Sequence, residues 1–180
     1  GRNYIVPDDA SKKYQDCDDI RENCPYGMPG DRLWVRETWQ THCDKDGITP
    51  RDLLPGTDVQ YPATYEHWVS KRRPGIHMPR WASRITLQVT DVRVQKLQDI
   101  TEEDAKAEGV EKMKSGRGYY SIEHGKAAVH FGVYHDFAKE AFAELWGSIN
   151  GADSWESNPW VWAISFQVIN GNIDKIEVAA

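Results

Sequence analysis

The chain has 180 residues, 39% of them hydrophobic and 28% charged, a balance that is typical of one folded domain and excludes a disordered chain. Its formal net charge of −6 at pH 7 excludes a uniformly basic coat for nucleic acids, but not a local basic groove. Eight residues are Trp, which fills cores and also stacks on bases. No segment has the pattern of a signal peptide or membrane span, so we expect a cytoplasmic protein with no membrane partner.

The N-terminal residues 1–29 are polar, acidic and rich in turn-forming residues, which predicts an irregular surface segment. Residues 30–169 carry the patterned strands and helices and are predicted to form the folded domain. Residues 170–180 are predicted to be a C-terminal tail or an edge strand. The sequence specifies no oligomeric state.

Three cysteines, Cys17, Cys24 and Cys43, are irregularly spaced. An odd number without regular spacing is a poor disulfide framework and indicates a reducing compartment. The absence of a close Cys-x-x-Cys pair favours structural thiols, and a zinc site completed by His42 is the alternative. We therefore predict no metal and no cofactor.

The stretch 30–39 predicts a β-strand that opens from a turn, because its side chains alternate in character. One face carries Leu33 and Val35 and ends on Glu37. The other face carries Trp34, Arg36 and Thr38. Such a strand can form the base of a small pocket. The alternative is a half-buried antiparallel strand with a polar outer face.

Residues 41–62 contain several Gly and Pro and predict a long loop, followed by a short strand at 65–69. From 66 to 84 there are five Lys or Arg and one acid, Glu66. Trp68, His77 and Trp81 are interleaved with these basic residues. This pattern suits a phosphate-bearing ligand with a flat ring, and the alternative is a solvated loop whose Trp81 packs into the core.

A long strand is predicted at 85–97, with a change of phase near 90–91 that indicates a bulge or bend of the kind found in barrels. A short helix follows at 101–109, with Thr101 as its N-cap. Glu108 lies in its last turn, where the helix dipole opposes ionisation, as suits a general acid or base. The alternative is that Glu108 is exposed and screened.

After the short helix, a Gly-rich surface loop is predicted at 111–133. An amphipathic helix is predicted at 136–146, capped by Asp136 and ended by Gly147. A final strand at 160–168 is apolar on both faces at its start, which predicts a central position in a sheet. Few strands, one of them bent, together with two helices predict an α+β fold: a small mixed β-barrel with short helices packed at its ends.

Four blocks of sequence, taken in order, resemble the phage and prophage proteins of the ASCH superfamily. The blocks are Gly30–Thr38, Ile76–Ile85, Leu97–Val110 and Asn158–Trp162. The resemblance covers roughly residues 24 to 169. It implies a PUA-like barrel with a cleft for RNA or a modified nucleoside.

One small bacterial member of that superfamily is an amidohydrolase that removes the acetyl group from N-acetylcytidine. The resemblance implies that its helix glutamate corresponds to Glu108. Its Lys and Thr lie in a Gly-x-Lys-x-x-Thr-x-Arg segment that this chain lacks, although Gly1-Arg2-Asn3-Tyr4 begins in a similar way. Because related phage proteins usually carry that segment further upstream, we expect this chain to be truncated. Without the Lys and Thr, this mechanism of acyl transfer loses its nucleophile and its activator.

Three hypotheses about function follow. The first is binding of RNA or a modified nucleoside, with Trp34, Trp39 and Trp81 stacking on the base. In this hypothesis phosphates or base edges are held by Arg36, Arg80 and Arg84. The second is deacylation of an N-acylated pyrimidine nucleoside, with Glu108 as general acid/base and Glu37 orienting the substrate. The third is a phage structural or interaction protein with no catalysis.

Overall fold

The computed structural model describes residues 2–5, 24–64, 70–121 and 134–176. These residues form an α+β structure with one four-stranded sheet and two two-stranded sheets, and the strands among them do not close into a barrel. The predicted strand at 65–69 lies outside the described residues.

The elements of the described residues fall into two helices and eight strands. The strands are β1 (Arg2–Ile5), β2 (Arg32–Trp34), β3 (Gln40–Thr41), β4 (Val59–Gln60), β5 (Ile85–Lys96), β6 (Val110–Lys112), β7 (Tyr119–Ser121) and β8 (Trp160–Asn170). The helices are α1 (Glu102–Ala107) and α2 (Ala138–Asn150). Turns of 3-10 helix cover Cys43–Lys45, Pro50–Asp52, Gly75–His77, Arg80–Ala82, Leu97–Asp99 and Ala152–Ser154.

The chain divides into two compact units, each made of two segments. The first unit comprises Gly1–Pro25 and Asp91–Ser165, and the second unit comprises Tyr26–Thr90 and Phe166–Ala180. The long strands β5 and β8 each contribute residues to both units, because one boundary falls between Thr90 and Asp91 and another between Ser165 and Phe166.

The four-stranded sheet has the strand order β1-β8-β5-β2. In the second unit, β2 pairs antiparallel with the first half of β5, from Arg32 opposite Gln88 to Trp34 opposite Thr86. In the first unit, β1 pairs antiparallel with the first half of β8. The sequence had predicted an irregular segment over β1, because four residues are too few to show a strand pattern before their partner strand is known.

The core of the first unit is built around α2, whose apolar stripe was predicted from its spacing. The helix runs beyond the predicted end at Gly147 and stops at Gly151, where φ is +100°. It also starts later than predicted, at Ala138 rather than Asp136. The buried residues of this core are Leu97, Ile100, Ala105, Val110, Ala138, Ala141, Phe142, Trp146 and Val161. Among the described residues, no helix is both long and apolar enough to cross a membrane.

The N-termini of both helices of the first unit are capped by side chains. The Thr101 hydroxyl accepts a 3.0 Å hydrogen bond from the Asp104 N–H, which confirms the predicted cap of α1. The Glu102 carboxylate accepts hydrogen bonds from the N–H groups of Ala138 at 2.8 Å and Lys139 at 3.1 Å. The first turn of α1 therefore supplies the anion that satisfies the N-terminus of α2.

Between the two helices, the predicted surface loop at 111–133 begins with regular structure instead. Strands β6 and β7 pair antiparallel, with Glu111 opposite Tyr120. The hairpin leaves little room at Gly118, since a Cβ there would lie 2.8 Å from the His135 carbonyl oxygen. Residues 122–133 lie outside the described part of the chain.

The second unit has a smaller buried cluster and little regular structure. Trp39, Leu53, Met78 and Ala82 are buried together, and half-buried aromatic residues pack against them. Only three residues of the predicted strand at 30–39 belong to β2. Val35 still donates to the Ile85 carbonyl, after which the chain leaves β5.

The buried side chain of Arg73 connects the loops of the second unit by hydrogen bonds. Its guanidinium donates to the carbonyl oxygens of Ile48 at 2.9 Å and Lys45 at 2.8 Å. The guanidinium carbon lies 5.3 Å from the ring centroid of Trp39, and Arg73 is only 4% exposed. The backbones of Arg73 and Trp39 also pair in both directions. A buried charge is therefore solvated by carbonyl dipoles and an aromatic face.

Candidate functional site

An open groove of about 860 Å³ lies in the second unit. It is lined by residues 56–59, 81–85 and 170–172, together with Tyr61 and Lys175. This volume is in the range of pockets that hold small ligands. The lining brings together three parts of the chain: the loop before β4, the turn before β5 and the segment after β8.

Arg84 is the most firmly held cation of the groove. Its Nε and Nη2 atoms donate to the two carboxylate oxygens of Glu37, at 2.9 Å and 2.8 Å. Its guanidinium carbon lies 4.0 Å from the ring centroid of Tyr61. A bidentate carboxylate and an aromatic face fix both the plane and the rotation of the guanidinium.

The ionisation states at this position follow from the same contacts. The hydrogen bond with Glu37 raises the pKa of Arg84 above its usual value, so the guanidinium stays charged. Burial raises the pKa of Tyr61, with the nearby Arg84 acting in the opposite direction. The phenol is therefore neutral near pH 7, and its hydroxyl donates to the carbonyl oxygen of Ala82.

The turn before β5 is fastened by the segment that follows β8. The side-chain amide of Asn172 donates to the carbonyl oxygens of Arg80 at 2.8 Å and Ser83 at 2.9 Å, and it lies 3.2 Å from that of Trp81. Arg80 adds an exposed ion pair with Asp174, with Nη2 and Oδ1 2.9 Å apart. Trp81 lies within this turn and Arg84 directly follows Ser83, so these bonds hold the backbone that carries both side chains.

The structure places four predicted site residues in or beside this groove. Trp81 and Arg84 line it, and Glu37 contacts Arg84 directly. Arg80 lies next to the groove but is engaged by Asp174.

Two further predicted residues contact each other and are not among the lining residues. The Arg36 guanidinium lies 4.7 Å from the ring centroid of Trp34, and its Nη1 donates to the Ile76 carbonyl at 3.3 Å. The half-buried Trp34 also packs against the buried cluster of the second unit, and the exposed Arg36 lies over its ring.

The remaining two predicted site residues lie elsewhere. Trp39 is 0% exposed and belongs to the core of the second unit, where it packs under Arg73. Glu108 belongs to the first unit, is half-buried and ends α1, with its N–H donating to the Asp104 carbonyl at 3.0 Å. The two predicted catalytic residues, Glu37 and Glu108, thus belong to different units, and their roles stay predictions.

Sequence reasoning missed three residues that build the groove: Tyr61, Asn172 and Lys175. Tyr61 follows a two-residue strand inside what was predicted to be a long loop. Asn172 and Lys175 fall in the predicted tail, and their side chains show no periodicity. The one available signal was the turn-forming pair Gly171-Asn172, which predicts a turn but not what it contacts.

Metal-binding residues do not converge in the described part of the chain. No group of three or more His, Cys, Asp or Glu side chains there has an arrangement that holds a metal ion. Cys24 is buried and Cys43 is exposed. Cys17, the third member of the predicted cysteine set, lies outside the described residues.

Comparison of the chain with protein-family models, curated proteins and solved structures found no match. The groove and the sequence resemblance are therefore the two sources for an inference about function.

Proposed function

We propose that this protein binds RNA or a modified nucleoside in the groove of the second unit. The observation that carries the proposal is the combination of a half-buried indole, Trp81, with a fixed guanidinium, Arg84, in one open groove. Indole faces stack on bases, and guanidinium groups bind phosphates and base edges. An anionic chain that concentrates such groups in one groove matches a local nucleic-acid site.

The resemblance of four sequence blocks to the ASCH superfamily supports the same proposal. Two of the blocks, Gly30–Thr38 and Ile76–Ile85, supply Glu37, Trp81 and Arg84. We extend the proposal to the fold: a PUA-like barrel of the phage ASCH type, acting in the cytoplasm of a bacterial host. Shared family sequence alone does not establish an activity, so the binding experiment decides.

The geometry of Glu37 favours an orienting role over proton transfer. Both of its oxygens accept hydrogen bonds from Arg84, an arrangement that holds a carboxylate in place. Hydrolysis of an N-acylated nucleoside is accordingly an outcome of the experiment and not part of the proposal.

The test is equilibrium binding of the chain to a panel of ribonucleosides, including N-acetylcytidine, and to short single-stranded RNAs, by calorimetry at low salt. We expect binding to at least one of them, and for RNA a loss of affinity as salt rises. Trp81→Leu should weaken binding roughly 10-fold or more, since stacking on one aromatic residue contributes about 1–3 kcal/mol per base. The matched control is Trp160→Leu, an exposed Trp of the first unit, which should bind like the parent.

Two results would contradict the proposal. One is a lack of binding to every nucleoside and RNA at low salt, which would favour the structural or interaction protein. The other is an equal loss of affinity in both Trp variants while circular dichroism shows both to be folded. Chromatography of the same samples detects deacylated product, whose appearance would replace simple binding by hydrolysis.

A further inference from the structure

The groove also indicates which part of the ligand it selects, an inference that rests on the proposed function. We propose that Arg84 and Lys175 together hold a phosphate group, so that the ligand is a nucleotide or an RNA segment and not a free nucleoside. Some hydrogen-bond donors of the groove are already occupied within the protein, and others are left for a ligand.

Arg84 has one edge occupied and one edge available. A guanidinium carries N–H groups on Nε, Nη1 and Nη2. The Glu37 carboxylate takes the edge formed by Nε and Nη2. Among the described residues, no group accepts a hydrogen bond from Nη1. The available edge, formed by Nη1 and the second Nη2 hydrogen, presents parallel N–H groups that match two oxygens of a phosphate.

The available edge is held in place before a ligand arrives. Tyr61 stacks on the guanidinium at 4.0 Å, and Glu37, 15% exposed, fixes its rotation. Arg84 itself remains 34% exposed, so the free edge is accessible. A ligand therefore does not have to order a flexible side chain, which lowers the entropy cost of binding.

Lys175 supplies the net positive charge that Arg84 cannot. The charge of Arg84 is balanced by Glu37, whereas the exposed Lys175 side chain makes no ion pair with any described residue. The backbone of Lys175 is fixed, because its N–H donates to the Asn172 carbonyl at 2.9 Å. The ammonium adds attraction for a phosphate, and the guanidinium edge adds direction.

The other two arginines predicted to bind the ligand are less suited to this role. Arg80 pairs with Asp174, and Arg36 uses its Nη1 for the Ile76 carbonyl. Neither of them is among the residues that line the groove. The acid among the lining residues, Asp58, is exposed and disfavours a phosphate at its own position.

The experiment compares affinities by calorimetry for ribonucleosides, the matching nucleoside monophosphates and inorganic phosphate, at constant ionic strength. We expect a monophosphate to bind about 10-fold or more tightly than its nucleoside, as charge-assisted hydrogen bonds provide. Inorganic phosphate alone should bind much more weakly than the monophosphate, because it makes no stacking contact.

Two variants test the assignment of the two cations. Lys175→Gln should reduce the ratio of monophosphate to nucleoside affinity by about 3- to 10-fold, as expected when one charge-assisted contact is lost. Arg84→Lys keeps a positive charge but not the parallel donors, and it should reduce the same ratio. The matched control is Lys71→Gln, an exposed lysine of the same unit that does not line the groove, and the ratio should not change.

Equal affinities for nucleoside and monophosphate would overturn the phosphate site while the proposed function stands. A ratio that survives in both variants would also overturn it. Inorganic phosphate that binds as tightly as the monophosphate would overturn the nucleotide or RNA segment as the ligand that this site selects. If no nucleoside, nucleotide or RNA binds, the proposed function fails together with this inference.

Discussion

In the first unit, apolar side chains at helical spacing on α2 pack against Leu97, Val110 and Val161, and the buried cluster among the described residues contains nine members. In the second unit, the corresponding cluster of described residues has four members, and several backbone carbonyls are bonded to side chains instead of to other strands. Arg73 binds carbonyls of the 43–48 loop, and Asn172 binds carbonyls of the turn before β5.

The two units should therefore lose stability in different ways when a residue is substituted. Hydrophobic burial is graded, because the free energy follows the apolar area and the volume that is lost. A hydrogen bond from a buried side chain to the backbone is specific, because removing the donor leaves a carbonyl unsatisfied. A loop-rich unit that carries an open groove depends on a few such donors.

The largest effect is expected from the core of the first unit. Phe142→Ala removes a buried ring that contacts Trp146 and Trp155, so it should lower the free energy of unfolding by about 3–5 kcal/mol. Urea denaturation measures this loss. The control is Ile149→Ala on the same helix, at a residue that is 65% exposed, with an expected change within about 0.5 kcal/mol. Similar losses in both variants would mean that α2 is not packed as described.

A slightly smaller effect is expected from the central arginine of the second unit. Arg73→Met keeps an apolar stem but leaves the Ile48 and Lys45 carbonyls unsatisfied, at a cost of about 2–4 kcal/mol. Hydrogen exchange should show the loss of protection at Trp39, whose N–H donates to the Arg73 carbonyl. Arg72→Met, at an exposed neighbour, is the control. A stable Arg73→Met protein would show that apolar packing alone holds these loops.

The first unit also contains a side-chain-to-backbone contact, the Glu102 carboxylate that caps α2, and its substitution can be compared with that of the apolar core. Glu102→Gln retains one acceptor oxygen and loses the charge, so it should destabilise the protein by about 1 kcal/mol. Glu103→Gln, in the same turn but exposed, should have a smaller effect. Denaturation of both variants at equal ionic strength measures the difference. An equal change in the two would assign the effect to net charge and not to the cap.

The smallest expected effect is a pH dependence of the protein's stability that arises from Tyr61 in the second unit. Because burial raises the pKa of Tyr61 in the folded state, its contribution to stability is full below its ordinary pKa of about 10. The contribution is lost as the pH rises through the higher folded-state pKa. The stability difference between the parent and Tyr61→Phe should therefore shrink from about pH 9 upward. Parallel stability curves over this range would contradict a buried Tyr61.

The sequence predicted the first unit better than the second, for a physical reason. The stripe of α2 and the Thr101 cap are local patterns, so a helix and its start are visible within a few residues. The early end expected at Gly147 was wrong, because a glycine tolerated within a helix ends it only where the chain needs a positive φ, here at Gly151.

The groove was predicted only where its residues have chemistry that is evident from residue type alone. Trp81 and Arg84 were identified because aromatic and basic residues were concentrated in one segment. Tyr61 and Lys175 were missed, since their place in the groove depends on contacts with distant parts of the chain. Trp39 was placed among the ligand-binding residues, but the structure buries it, and no local pattern distinguishes a core indole from a stacking one.

The bonds between the segment after β8 and the turn before β5 have a consequence for synthesis of the protein on the ribosome. Asp174 follows its partner Arg80 by 94 positions. At a translation rate of about 5–20 residues per second, the turn waits roughly 5–20 s before Asn172 and Asp174 have been made. Throughout that interval the turn that carries Trp81 lacks its bonds to Asn172 and Asp174. The groove is therefore among the last parts of this protein to be completed.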